Sequence, residues 1–141
     1  MTKDDCIFCK LANGVFPTHK IYEDDDFSVI LDASPANKGH SLILTKDHFA
    51  DLWEADDEIL AKVLPLAKKI AAAVKDTVDA DGINIVQNNA PAAGQTVFHF
   101  HTHIIPRYDN DGCGIGWPQG SPDDDEQKIL AATLADKLSN A

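Results

Sequence analysis

Histidines stand at every second position of one short apolar run, His99-Phe100-His101-Thr102-His103-Ile104-Ile105. The alternation reads as a β-strand, in which successive side chains point to opposite faces. His99, His101 and His103 would then share one face at a spacing of roughly 7 Å, with Phe100, Thr102 and Ile104 on the other. One face carries chemistry and the other carries packing. Imidazole titrates at about pH 6.5 and serves as nucleophile, proton donor or metal ligand. Three buried rings would each need a polar partner, so packing alone is a poor account of the row.

The chain has 141 residues, a length that fits one domain with a core large enough to need no disulfide staples. Its formal net charge is −11, concentrated in Asp24-Asp25-Asp26, Asp56-Asp57-Glu58 and Asp123-Asp124-Asp125-Glu126. Such a surface repels a nucleic-acid backbone and an anionic membrane, which excludes extended binding to either. A small phosphorylated ligand stays compatible, because converging donors can hold a phosphate within a negative overall field. No apolar stretch approaches the ~20 residues that span a bilayer, and no signal-like apolar segment precedes the core pattern, so a soluble, cytoplasmic protein is expected. Three cysteines, two of them paired as Cys6-x-x-Cys9, fit a reducing compartment. Cys113, in a Gly-rich loop, reads as a spectator thiol.

Along the chain, residues 4–12 read as a short helical turn closed by Asn13-Gly14. Residues 19–23 and 27–32 form a hairpin around the acidic turn, and 41–45 is a third buried strand. Helical spacing of Ile59, Leu60, Val63, Leu66, Ala67, Ile70, Ala71, Val74 and Val78 predicts a long helix over 56–78. Pro65 should kink that helix or start it afresh. A fourth strand is expected at 82–88 and the histidine strand at 97–105, joined by the loop from Asn89 to Gly94. A C-terminal amphipathic helix over 125–138 places Ile129, Leu130, Leu134 and Leu138 on one stripe. Strand runs with segregated helices predict an α+β fold on a mostly antiparallel sheet.

The Cys6/Cys9 pair has three readings. A structural zinc commonly uses two thiolates about one turn apart and needs two further ligands, which His48 and one histidine of the row can supply. A redox pair would need a βαβ context that five preceding residues do not provide, and two inert helix cysteines are the bland option.

The motif His99-Phe-His101-Thr-His103-Ile-Ile resembles the signature of the histidine triad (HIT) superfamily, and Gly94-Gln95-Thr96-Val97-Phe98 resembles the segment that leads into it. The similarity runs from about Cys6 to Arg107 and takes in Asp32-Ala33-Ser34-Pro35, His40 to His48 and Asn88. One departure is Thr102, where the pattern prefers an apolar residue. The resemblance implies a HIT-like fold of about five strands, with a long central helix and a C-terminal helix. It implies one domain over 1–141, its core about 5–107 and a loop plus helix over 108–141, and a homodimer with a shared sheet.

The activity implied is that of the nucleotide-binding branch: hydrolysis or transfer at the α-phosphate of nucleoside phosphoramidates or dinucleoside polyphosphates. His101 would be the nucleophile, forming a transient nucleotidyl-histidine that water converts to a nucleoside monophosphate. His103 would contact the phosphate and assist proton transfer, and Gln95 and Thr96 would touch phosphate and leaving group. Asn88 would bind phosphate oxygens, and Asp32 the ribose hydroxyls of a purine nucleotide carrying an AMP or GMP moiety. Zinc-containing bacterial members imply a structural zinc on Cys6, Cys9, His48 and His99. His19 and His40 receive no role and are expected at the surface. Trp117-Pro118-Gln119-Gly120 resembles a segment that reaches the partner subunit in that branch. Two other readings compete: a nucleotide-binding regulator with incidental turnover, and a catalytic metal held by the three histidines.

Overall fold

The computed structural model describes residues 1–141. Its strands are β1 (Lys20–Glu23), β2 (Phe27–Leu31), β3 (Ser41–Thr45), β4 (Gly82–Val86) and β5 (His101–Arg107), and its helices α1 (Ile7–Ala12), α2 (Asp57–Val78) and α3 (Asp124–Ser139). All strand pairs are antiparallel, in the order β1-β2-β3-β5-β4. The expected α+β fold with five strands is thus observed. Turn chemistry sets the first hairpin: the Asp24 carboxylate accepts from the backbone N–H groups of Asp26 and Phe27, 2.8 Å each, an Asx turn that needs no glycine.

Strand alternation divides the core. Phe27, Val29, Ile43, Phe100 and Ile104 face α2, where Val63, Leu66, Ala67, Ile70 and Val74 meet them at helical spacing. Each fully buried Val, Leu, Ile or Phe there contributes about 1.5–3 kcal/mol. Ile30, Leu42 and Leu44 face the other way, against Ala12, Phe8 and Leu11 of α1. Covering both faces explains why β2 and β3 read as continuous apolar runs. β5 lies between β3 and β4, with Leu44 opposite His101, and Leu42 and Val86 opposite His103. A strand paired on both sides gives these histidines a rigid mount.

Several expectations are corrected. α2 runs unbroken through Pro65 and does not restart there. Pro65 and Ala61, whose carbonyl loses its partner, are both exposed, so water can solvate that oxygen while the opposite face stays packed. β5 begins at His101, not at 97, and extends to Arg107; His99 lies just ahead of the ladder. β4 ends at Val86, leaving Gln87 and Asn88 to the following loop. The apolar stripe of α3 buries nothing: no residue of that helix is buried. His40, expected at the surface, is only 6% exposed. No helix is long and apolar enough to cross a membrane.

Candidate active site and metal centre

On the α1 side of the sheet lies a cleft of about 800 Å³. Phe8, Leu11, Ile30 and Leu42, from the core cluster on that face, give it an apolar wall. Asp32, Asn88, Thr96, His101 and His103 supply its polar groups. Five residues singled out from the sequence therefore converge, from β5, the end of β2 and the loop after β4. Exposed His19 also lines the cleft.

Hydrogen bonds fix which nitrogen of each ring is free. His101 Nδ1 donates to the carbonyl of His99 at 2.6 Å, so the proton sits on Nδ1 and the Nε2 lone pair has no protein partner. Burial pushes the pKa of this imidazole down, opposed by that backbone bond, which keeps the ring neutral and nucleophilic near pH 7. The Asn88 carboxamide and the Thr96 hydroxyl make no side-chain bond to protein, leaving both available to a ligand.

His103 belongs to a hydrogen-bonded chain that the sequence did not reveal. His40 Nδ1 accepts from the backbone N–H of Ala36 at 2.9 Å, which places the proton of a neutral ring on Nε2. That Nε2–H donates to His103 Nδ1 at 2.9 Å, so His103 carries its own proton on Nε2 as a hydrogen-bond donor. Burial, with the His101 and His40 rings adding to it, pushes the His103 pKa down to about 4. Asp32 Oδ2 stands 3.5 Å from His40 Nε2, while Asp32 Oδ1 accepts from Ser34 N–H at 2.8 Å; this carboxylate both caps its turn and lines the cleft. Although Asp32, His40 and His103 bring ligand atoms together, a metal on His40 Nε2 would require a proton on Nδ1. Ala36 N–H already points there, so the proton chain and a metal exclude each other.

Gln95 is placed differently from the expectation for a ligand contact. Its amide donates to the carbonyls of Ala50 and Val97, 2.7 and 3.1 Å, and its oxygen accepts from Ala90 N–H, 2.8 Å. Buried and fully paired, it braces the loop that carries Thr96 and is not among the residues lining the cleft.

The second constellation lies beside the first. Cys6 caps α1 by accepting from Cys9 N–H at 3.4 Å, and burial pushes the Cys9 thiol up. His99 Nδ1 lies 3.4 Å from both Sγ atoms, and His48 Nδ1 lies 3.4 Å from Cys9 Sγ. A tetrahedral zinc, with bonds of about 2.3 Å to sulfur and 2.0 Å to nitrogen, has S···N edges of roughly 3.5 Å. His99 Nε2 donates to the Thr45 carbonyl at 2.8 Å, which orients the ring and leaves Nδ1 as the free lone pair, as metal-bound histidines require. Donor set, spacing and supporting bond all fit a closed four-ligand zinc site. The three alternating histidines do not share one ion: His99 serves the thiols, and His101 and His103 serve the cleft.

A family model described as the HIT domain matches residues 13–110. This chain belongs to the HIT family. Its similarity extends to the nucleotide-binding, HINT-like branch. The protein SMU.412c of Streptococcus mutans superposes with a TM-score of 0.92 at 39% identity, over 97% of this chain and 87% of that one. An adenosine 5'-monophosphoramidase of Schizosaccharomyces pombe, hnt1, is 38% identical over 94% of this chain and 98% of its own length. A zinc-bound histidine triad family protein of Mycobacterium smegmatis is 37% identical, with a TM-score of 0.74 over 97% and 98% of the two chains. Cys6 and Cys9 fall outside the residues matched to the HIT model, so the Cys/His cluster ties the segment before the matched residues to His48 and His99 within them.

Proposed function

We propose that this chain is a HIT hydrolase that cleaves at the α-phosphate of a purine nucleoside phosphoramidate or dinucleoside polyphosphate through a covalent intermediate on His101. At family level, nucleotide hydrolysis is supported by the adenosine monophosphoramidase relative; the substrate class and the intermediate are our reading. The observation that carries it is the 2.6 Å bond from His101 Nδ1 to the His99 carbonyl. It leaves Nε2 as a fixed nucleophile in the cleft and stabilises the positive ring formed by attack.

In the first step His101 Nε2 forms a bond to the α-phosphorus and the P–N or P–O bond to the leaving group breaks with its electron pair. His103 Nε2–H and Asn88 bind phosphoryl oxygens, where donors held in place lower the barrier. Thr96 relays a proton of the incoming water to the leaving group, its own hydroxyl restored, and Asp32 binds the ribose hydroxyls, with the base against the apolar wall. In the second step water attacks the phosphorus, the bond to His101 breaks, and nucleoside monophosphate leaves as the neutral imidazole is restored. One water is consumed overall. Gln95 acts by bracing the Thr96 loop.

Cys6, Cys9, His48 and His99 would hold a structural zinc, supplying a cross-link between the N-terminal segment and the catalytic strand, with no open coordination position. The zinc-bound relative supports this assignment. A cytoplasmic homodimer completes the reading. The test is AMP release from adenosine phosphoramidate and from diadenosine tetraphosphate by wild type and His101→Ala. Wild type should turn over at least one of them, and the variant should be slower by about a thousandfold or more, as for other removed nucleophiles. Undiminished turnover by His101→Ala overturns the mechanism; AMP binding without turnover favours the regulator.

A further inference from the structure

Phe8 stands between the two thiols in sequence and between the two constellations in space. Its ring meets His99 edge-on at 6.1 Å and His101 edge-on at 4.8 Å, centroid to centroid, and it forms part of the apolar wall of the cleft. The helix that carries it has six residues, too short to hold its shape without outside anchors. Phe8, Leu11 and Ala12 pack on Ile30, Leu42 and Leu44, and few polar groups add to that. Ser28 Oγ donates to the Ala12 carbonyl at 2.7 Å and Asn13 Nδ2 to the Lys46 carbonyl at 3.0 Å, both at the C-terminal end of α1. At the N-terminal end Cys6 and Cys9 are turned toward His48 and His99, and the segment ahead of the helix is tied to the same strand end by His48 N–H donating to the Met1 carbonyl at 2.8 Å and by the N-terminal amine pairing with Asp47.

We propose that the Cys6/Cys9/His48/His99 cluster governs the nucleotide cleft through Phe8, which acts as a positioning residue. A metal joining the four side chains pins the N-terminal end of α1 to β3 and to the start of β5. That pinning sets the Phe8 ring against His101 and closes the apolar wall. With the metal removed, α1 keeps its C-terminal anchors and its apolar packing on Ile30, Leu42 and Leu44 but loses the cross-link at its N-terminal end, so the Phe8 ring is held less closely against His101 and the cleft binds a purine nucleotide less well. The inference rests on the nucleotide and zinc assignments above and adds a coupling between them. Such coupling is reciprocal, and a factor of about 5–150 is typical of linked sites.

The experiment is a four-way comparison of AMP binding by calorimetry: zinc-loaded and zinc-stripped protein, each as wild type and Phe8→Ala, with zinc content and thermal midpoint measured on every sample. Stripping zinc from wild type should weaken AMP binding about tenfold. Phe8→Ala should weaken binding by a similar factor when loaded, and stripping zinc from Phe8→Ala should cost no further affinity although its midpoint falls. Phe8→Leu, which keeps an apolar side chain, should recover part of the loss. If wild type keeps its AMP affinity on stripping, or if the two losses multiply, the coupling is overturned. Absence of AMP binding to loaded wild type refutes the nucleotide assignment, absence of bound zinc refutes the metal assignment, and either takes this inference with it.

Should stripped protein unfold, cobalt(II)-loaded protein decides the matter while folded. AMP should shift the visible absorption of the thiolate-bound ion in wild type and leave it unmoved in Phe8→Ala. An unmoved wild-type spectrum, or equal shifts in both, overturns the proposal.

Discussion

Thr102 shows what one side chain contributes on the packing face of β5. It is 2% exposed, and its hydroxyl is the one buried side-chain polar atom without a hydrogen-bond partner. A buried unsatisfied hydroxyl costs about 1–3 kcal/mol, and its strand partner is the apolar Ile43. Thr102→Val should therefore raise stability by about 1 kcal/mol in urea unfolding of metal-loaded protein, with AMP release unchanged; a loss of stability would show that the hydroxyl has a partner in solution. The orientation of Thr102, away from the site, was legible from period-2 alternation alone. His40 was not legible. Its importance arises because Leu42 lies opposite His103 and His40 sits two residues before Leu42 on the same face. That register depends on β3 pairing with β5, a long-range choice that a local pattern does not encode.

Among the elements, the loop between β4 and β5 holds the site's strained backbone. Ala90 adopts φ 76° and ψ 156°, a region occupied almost solely by glycine, and such conformations cost about 1–3 kcal/mol. The cost is borne because Gln95 grips Ala90 N–H and the Ala90 carbonyl accepts from Ala93 N–H and Gln95 N–H, 3.1 and 3.2 Å. Ala90→Gly should remove most of the strain, less the extra freedom glycine gains when unfolded, for a net gain of about 1 kcal/mol. Chemical denaturation checks it; a variant less stable than wild type would mean that the loop relaxes in solution. The long helix and the first hairpin were readable because spacing and turn residues act locally. The start of β5 was not, since it depends on where pairing with β3 and β4 begins, and the unbroken course of α2 through Pro65 depends on packing of the opposite face. The proposed metal ligands came from motif and resemblance. Their mutual geometry is a product of the fold, which brings positions 6, 9, 48 and 99 to one point.

For the molecule as a whole, large apolar side chains remain exposed on several elements, among them Leu64 on α2, Ile85 on β4 and Leu134 on α3. β4 is an edge of the sheet, and an exposed edge bearing an apolar residue is a ready surface for a second copy. Light scattering should return a mass near twice the 15.3 kDa of one chain; a mass of one chain at micromolar concentration would refute the homodimer. The amphipathic stripe of α3 was legible, but a stripe does not say what covers it, and within one copy nothing buries it. Between domain and tail stands one clamp. Asp111 accepts from Arg107 Nε and Nη2 at 2.8 and 3.0 Å, from Asn37 Nδ2 at 2.9 Å, and from the backbone N–H groups of Tyr108 and Cys113. Charge pairing with Arg107, reinforced by these N–H groups, holds its carboxyl far below the ordinary range. In mechanical terms this clamp is a seam: strain in the tail beyond Asp111 is taken up by the bonds to Arg107, Asn37 and the neighbouring backbone before it meets the cleft.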